Sequence, residues 1–203
     1  MQPLNITEIF YSLQGEGFRV GTPSIFIRLS GCSAKNACFK SGVVCDTEFN
    51  SGKIMDVSEI LEEINKYPCK EIVWTGGEPT DQLTDEHIQY FKDLGYYNCA
   101  ECSGINQPSN LFDYIVLSPK IAEHVILKKW KIKNCLHCNE LRWVRQEGQQ
   151  IPITEIKAQH YFVSPHTDGD LINYKNLDWC IKLCLDNPAW KLSLQQHKVW
   201  RVR

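Results

Sequence analysis

Short apolar runs broken by glycine- and proline-bearing joints recur along the chain. Ile6 to Leu13 reads as a strand or turn, and Ser24 to Leu29 as a strand with Arg28 as its one charge. Glu71 to Thr75, Tyr96 to Cys102, Tyr114 to Leu117, Leu141 to Val144 and Tyr161 to Val163 are further strand candidates, and Trp190 to Leu194 alternates as a last strand or edge. Between them the period changes. Ile60, Leu61 and Ile64 follow Asp56-Val57-Ser58-Glu59, which has the form of a capping box. Ile88, Phe91 and Leu94 follow Thr84, with Gly95 as the stop. Leu177, Cys180, Ile181, Cys184 and Leu185 lie at helical spacing, which makes Cys180 and Cys184 core residues. Residues 121–139 read as a helix or an irregular insertion.

Strands alternating with helices predict parallel pairing through right-handed crossovers. About six strands outnumber the convincing helices, so the expected fold is α/β, a modified partial barrel rather than a closed ring, formed by one domain over residues 1–203. In such sheets ligands bind at the carboxyl ends of the strands. The unusual residues fall there: Cys32, then Gly76-Gly77-Glu78, Ser103-Gly104, Ser118-Pro119-Lys120 and Ser164-Pro165-His166.

Cys32, Cys38 and Cys45 share the stretch from Gly31 to Thr47 directly after the first of these strands. A closed structural zinc site would want four ligands, whereas three thiolates suit a cluster that keeps one iron open. Three unrelated packed thiols are the alternative. Gln14-Gly15-Glu16-Gly17 is either a tight turn or a place where backbone meets a ligand. Arg28 is costly within an apolar strand unless paired; it faces a ligand anion or reaches a structural carboxylate such as Glu16 or Glu78. Two C-x-x-C pairs, Cys99/Cys102 and Cys135/Cys138, offer a zinc knuckle as a further alternative, against which stands the strand predicted over Cys99 and Cys102.

Composition narrows the setting. With 203 residues and a net charge of −2, bulk attraction to nucleic acid or anionic membrane is not expected. The first ten residues do not read as a signal peptide, and no apolar run approaches the ~18 residues of a membrane helix. Ten cysteines in a chain of this kind point to metal or redox chemistry in a reducing cytoplasm.

Leu13 to Gly17, Phe26 to Cys32, Cys45-Asp46-Thr47, Thr75-Gly76-Gly77-Glu78-Pro79, Ser118-Pro119-Lys120 and the ending Leu192 to Lys198 together resemble the 7-carboxy-7-deazaguanine synthase family. Its members are radical S-adenosylmethionine (SAM) enzymes of queuosine and deazapurine biosynthesis. The resemblance implies a lyase that converts 6-carboxy-5,6,7,8-tetrahydropterin to 7-carboxy-7-deazaguanine with release of ammonia. It also implies a 4Fe-4S cluster, SAM, Mg2+, an external electron donor and a homodimer. By position, Cys32, Cys38 and Cys45 would bind the cluster and Thr47 the magnesium. Val44, Cys45, Asp46, Gly77, Glu78, Ser103, Ser118, Pro119 and Lys120 would line SAM. Leu13, Gln14, Gly15, Arg28, Thr75, Ser164, Pro165, His166, Asp168 and Arg203 would hold the pterin, Arg203 as the end of the chain.

The chain also departs from the family pattern. Five residues separate Cys32 from Cys38 and six separate Cys38 from Cys45, where the superfamily usually has three and two. Val44 stands where an aromatic residue is common, and Glu101-Cys102-Ser103-Gly104 replaces Glu-Thr-Asn/Ser-Gly. Two competing functions remain: an activase that makes a glycyl radical on a partner protein, and a non-catalytic zinc module. The activase would share the cysteine loop and Gly-Gly-Glu-Pro but has no need of Gln14 to Gly17 or of the Gln195 to Lys198 ending.

Overall fold

The computed structural model describes residues 1–40, 48–119, 137–167, 169 and 171–203. Among the described residues nine strands form one sheet in the order β3-β1-β2-β4-β5-β6-β7-β8-β9. They are β1 (Leu4–Leu13), β2 (Pro23–Leu29), β3 (Lys53–Met55), β4 (Glu71–Gly76), β5 (Tyr97–Cys102), β6 (Tyr114–Leu117), β7 (His137–Arg145), β8 (Lys157–Pro165) and β9 (Lys191–Leu192). From β2 onward every described pairing is parallel; β1 joins β2 and β3 antiparallel. The mostly parallel sheet agrees with the expected fold class. β3, three residues long, is the strand the sequence did not offer; the parallel set runs to seven, β2 and β4 to β9, because the two-residue β9 pairs parallel with β8.

Five helices accompany the sheet among the described residues: α1 (Lys35–Lys40), α2 (Val57–Ile64), α3 (Asp85–Asp93), α4 (Tyr174–Asp186) and α5 (Gln196–Trp200). The Asp56 N–H donates to Glu59 Oε2 at 2.8 Å, closing the expected box at the start of α2. Ile60 and Ile64 of α2 and Ile88 and Phe91 of α3 pack on Ile25, Ile27, Leu29, Ile72 and Trp74, so one face of the sheet is a continuous core. Cys180 and Leu183 of α4 make a second core with Val163.

The other face carries the polar residues. Alternation sends Arg28, Thr75, Glu101, Val116, Glu140 and His160 away from the main core. Register aligns them: Arg28 opposite Thr75, Glu101 opposite Val116, Val116 opposite Glu140 and Glu140 opposite His160. Trp74 pairs with Ala100, which sets Thr75 and Glu101 on the same level. A single row of functional groups therefore crosses this open face.

Candidate active site

The first centre lies where β2 and β4 end. Cys32 follows β2, and Cys38 lies in α1, a short helix where a loop was expected. The two thiols are half-buried and close enough for each to feel the other's charge. Burial pushes the Cys32 thiol up to about 11; the Ala34 backbone N–H opposes this, and Glu78, Cys38 and Asp81 add to it. A bound cation reverses that balance by replacing the proton. Cys45, the third expected ligand, lies outside the described residues, as do Val44, Asp46, Thr47, Lys120 and Asp168. Within the described residues the donors fit an iron site by their chemistry: two soft thiols, one just after the end of β2 and one in the helix that follows.

Gly77 explains why this segment is glycine. A Cβ there would come within 1.6 Å of the Gly31 carbonyl oxygen and 3.3 Å of Cys32 Cβ. The close approach is fixed by two hydrogen bonds, from Gly77 N–H to Leu29 O at 2.8 Å and from Glu78 N–H to Gly31 O at 3.0 Å. Asp81 secures the loop from the other side, accepting from Ser33 N–H at 2.8 Å and Ser33 Oγ at 2.7 Å.

Glu78 is fully buried. Its Oε1 accepts from Thr80 Oγ1 at 2.6 Å and its Oε2 from the Ser103 N–H at 2.9 Å and from Ser103 Oγ. The carboxylate and the Ser103 hydroxyl, both expected at SAM, thus bind each other and lock the ends of β4 and β5 together. Ser118 donates its N–H to Cys102 O at 2.8 Å, which places Ser118 and Pro119 at the end of β6 beside them.

The second centre is the row on the open face. Arg142 of β7 is 4% exposed and meets three carboxylates. Its Nη2 and Nε reach Glu140 Oε1 at 2.6 and 2.9 Å, its Nη1 pairs with Glu16, and Glu101 Oε2 lies 3.5 Å away. Burial would lower this guanidinium, but the three charges outweigh it and hold it above its ordinary value. Burial pushes the Glu101 carboxyl up to about 7; Arg142 pulls it back, Glu140 and Glu16 push it further, and the Gln14 amide opposes them. Gln14 Nε2 donates to Glu101 Oε1 at 2.9 Å, so the β1–β2 connection folds across the open face. Sequence reasoning missed Glu140 and Arg142. Their signal was two charges side by side with a predicted strand, the same signal that singled out Arg28.

Arg28 takes a carboxylate partner, but neither Glu16 nor Glu78. Glu16 is held by Arg142 and Glu78 by Ser103 and Thr80. The partner is Glu8, whose Oε1 lies 2.7 Å from Arg28 Nε. The Nε–H direction does not point at that oxygen, so the contact is an ion pair without a hydrogen bond.

The chain's two distant motifs interlock. Gly15 O accepts from Gln196 N–H at 2.9 Å, Gly17 N–H donates to Ser193 Oγ at 2.9 Å, and a Cβ on Gly15 would meet the His197 ring at 2.1 Å. The same ending grips the loop after β8: Thr167 Oγ1 donates to Gln195 Oε1 at 3.0 Å and receives Lys198 Nζ at 3.1 Å. Ser164 Oγ is buried with no hydrogen-bond partner among the described residues. Pro165 is buried beside it, and His166 is half-buried, its N–H held by Arg145 O at 2.9 Å. Leu13 and Arg203 line a cavity of about 420 Å³ with Tyr11, Ser12, Pro23 and Val202, at the end of β1 opposite Cys32. The structure thus brings Arg28, Thr75 and Gln14 to one row and leaves Leu13 and Arg203 at its edge.

Cys99 and Cys102 face opposite sides of the sheet, Cys99 on a small cluster with Val73, Tyr114 and Val116 and Cys102 in the main core. They cannot act as a pair. Cys135 lies outside the described residues, and no group of three metal-ligating side chains occurs among the described ones.

No family model matches the chain. A curated relative from Bacteroides thetaiotaomicron, a 7-carboxy-7-deazaguanine synthase, is 35% identical over 199 residues, covering 98% of each chain. One of the same name from Haemophilus influenzae is 36% identical, covering 96% of this chain and 92% of its own. The chain belongs to the 7-carboxy-7-deazaguanine synthase family. Among solved structures, QueE from Escherichia coli superposes with a TM-score of 0.65 at 21% identity, covering 95% of this chain and 93% of its own, which shows the shared fold. Membership in the synthase family makes this a radical SAM enzyme with a 4Fe-4S cluster and SAM, and it accounts for thiols at the end of β2 beside a glycine that admits no side chain. No helix among the described residues is long and apolar enough to cross a membrane.

Proposed function

We propose that this chain is a lyase that converts 6-carboxy-5,6,7,8-tetrahydropterin to 7-carboxy-7-deazaguanine with release of ammonia. The observation that carries the reading is the near-full-length likeness to synthases of that name. The site supports it, with two thiols at the head of an open face crossed by a row of hydrogen-bonding groups. When bound, the cluster and SAM supply the one-electron chemistry that starts the reaction on the pterin.

The protein's own residues position and exclude. Cys32 and Cys38, with Cys45, hold iron. The Gly77 backbone, with Glu78 and Ser103 behind it, forms the wall for SAM, completed by Val44, Asp46, Ser118, Pro119 and Lys120. Thr47 offers a hydroxyl to Mg2+, a cation that takes few protein oxygens and keeps its waters. Arg28 meets the substrate carboxylate through the N–H groups that Glu8 leaves open. Gln14, Gly15 and Thr75 contact the ring from the level of Arg28. Ser164, whose hydroxyl lacks a partner among the described residues, and the loop through Pro165, His166 and Asp168 close the other side, with Leu13 and Arg203 at the rim. An external electron donor, a homodimer, a cytoplasmic setting and a single domain over residues 1–203 complete the proposal.

The interlock of Gln14 to Gly17 with Ser193 to Lys198 favours the lyase over an activase. An activase must open this face to a protein chain, whereas here the ending covers the loop. The test is anaerobic reconstitution with iron and sulfide, then SAM, a reductant, Mg2+ and the carboxy-pterin. Brown protein, product by mass spectrometry and one ammonia per product are expected. Colourless protein that binds zinc, or SAM cleavage with no product, would overturn the reading.

A further inference from the structure

Glu8, like Glu140 and Arg142, is a charged residue on the open face that neither the motifs nor the family resemblance singled out. Its place depends on a bulge in β1. Leu4 and Ile6 point into the main core, and strict alternation would send residue 8 there too. The register breaks between Ile6, opposite Leu29, and Glu8, opposite Arg28, so Thr7 is the extra residue. The bulge turns Glu8 onto the face of Arg28, the re-aiming for which bulges are used.

There Glu8 touches two guanidinium groups. Its Oε1 lies 2.7 Å from Arg28 Nε, and its Oε2 pairs with Arg203 Nη2. Both guanidinium carbons stand over the Phe10 ring, at 5.5 and 5.2 Å from its centroid, and Phe10 stacks on Phe26 at 5.0 Å. Phe10 is a buried, fixed floor, and the cations add to it by attraction to its face. The terminal nitrogens of Arg28 make no hydrogen bond or ion pair among the described residues.

We infer that Glu8 is a positioning residue: it holds Arg28 by its Nε side and Arg203 by Nη2 against Phe10, so that the free edge of Arg28 is presented to the substrate carboxylate. The inference rests on the lyase reading. An arginine fork binds a carboxylate through two parallel N–H groups in one plane, so its value depends on orientation as well as charge. Arg203 acts as a strap, drawing the last residues over the ring.

The alternative role has the opposite sign. As a bare counter-charge, Glu8 repels the incoming carboxylate, and removing its charge would tighten substrate binding. As a positioning group its removal loosens it. Glu8→Gln decides between them on reconstituted enzyme of matched iron content, measuring KM and kcat for the carboxy-pterin, the fraction of SAM cleaved without product, and Tm. The expected result is a KM raised about 10-fold, more SAM cleaved without product, and an unchanged Tm. Combining Glu8→Gln with Arg28→Lys should add little to Arg28→Lys alone, because Glu8 acts through Arg28. Glu8→Asp, which keeps the charge and shortens the reach, should fall between wild type and Glu8→Gln and serves if Glu8→Gln folds poorly. An unchanged or lowered KM, or additive effects in the double variant, overturns the inference while wild-type turnover leaves the lyase reading standing. If wild type makes no product, the lyase reading fails and the inference falls with it.

Discussion

Glu101 should make this protein lose stability as pH rises, against the usual direction for an ion-paired carboxylate. The perturbation is Glu101→Gln, which keeps the shape and the oxygen that accepts from Gln14 at 2.9 Å. In the unfolded chain the carboxyl releases its proton near its ordinary 4.5; in the folded protein burial holds it until about 7. Between those values the folded state binds more protons, so this group's contribution is fully present below pH 4.5 and lost as pH rises through 7. The whole displacement corresponds to about 3 kcal/mol. The side chain keeps 18% of its surface exposed, and solvent screening reduces the figure to about 2 kcal/mol.

The groups facing Glu101 are Arg142 and Glu140 from β7 and Gln14 and Glu16 from the connection after β1. Glu101→Gln leaves all four in place, so the difference between variant and wild type isolates the one titration. Urea unfolding of both proteins, at matched iron content and at intervals from pH 5 to 8, is the assay. The curves should lie closest at pH 5 and separate by about 2 kcal/mol at pH 8 with the variant more stable, equivalent to a Tm difference of roughly 4–8 °C. If Glu101 were ionised throughout and simply paired with Arg142, its titration would lie below pH 5 and the gap would stay nearly constant across the range. A gap independent of pH, or wild type gaining on the variant as pH rises, would refute the reasoning.

Other substitutions test the surrounding scaffold. Gly77→Ala places a methyl 1.6 Å from Gly31 O; it should destabilise the chain by on the order of 3 kcal/mol and lower bound iron, both read on purified protein. Glu78→Gln puts an amide N–H among the donors from Thr80 and Ser103; a loss of about 3 kcal/mol is expected in thermal unfolding. Ser193→Ala leaves the Gly17 N–H without its acceptor and should cost about 1 kcal/mol, with faster hydrogen exchange at Gly17.

Legibility in the sequence followed the range of the forces involved. Tyr114 to Leu117, buried at all four positions, and the Asp56–Glu59 box were visible because their signals are local. The placement of Cys32, Gly77, Ser103 and Ser118 at strand ends was visible too, since parallel topology sends strand ends to one side. Glu8 was hidden by the bulge that breaks the alternation at Thr7. Arg142 and Glu140 were hidden because what permits their burial is Glu16, 126 residues from Arg142. A lone buried charge argues against a strand; with its distant partners it argues for a site.

Two short motifs far apart in the chain, Gln14 to Gly17 and Ser193 to Lys198, meet over the open face for a physical reason. Gln14 to Gly17 has to lie flat across the open face, because Gln14 reaches Glu101 and Glu16 reaches Arg142. A loop in that position presents its outer backbone groups to solvent unless another segment covers them. Ser193 and Gln196 supply the covering partners, and His197 fills the space over Gly15 that any Cβ would occupy. Through Gln195 and Lys198 the ending also reaches Thr167. One segment therefore sets the distance between the loop before β2 and the loop after β8, the two loops assigned to the pterin. A substitution in either motif should then alter substrate binding through the other, and loosening of Gly15 and Thr167 together after a change at residues 195–198 is the signature to seek.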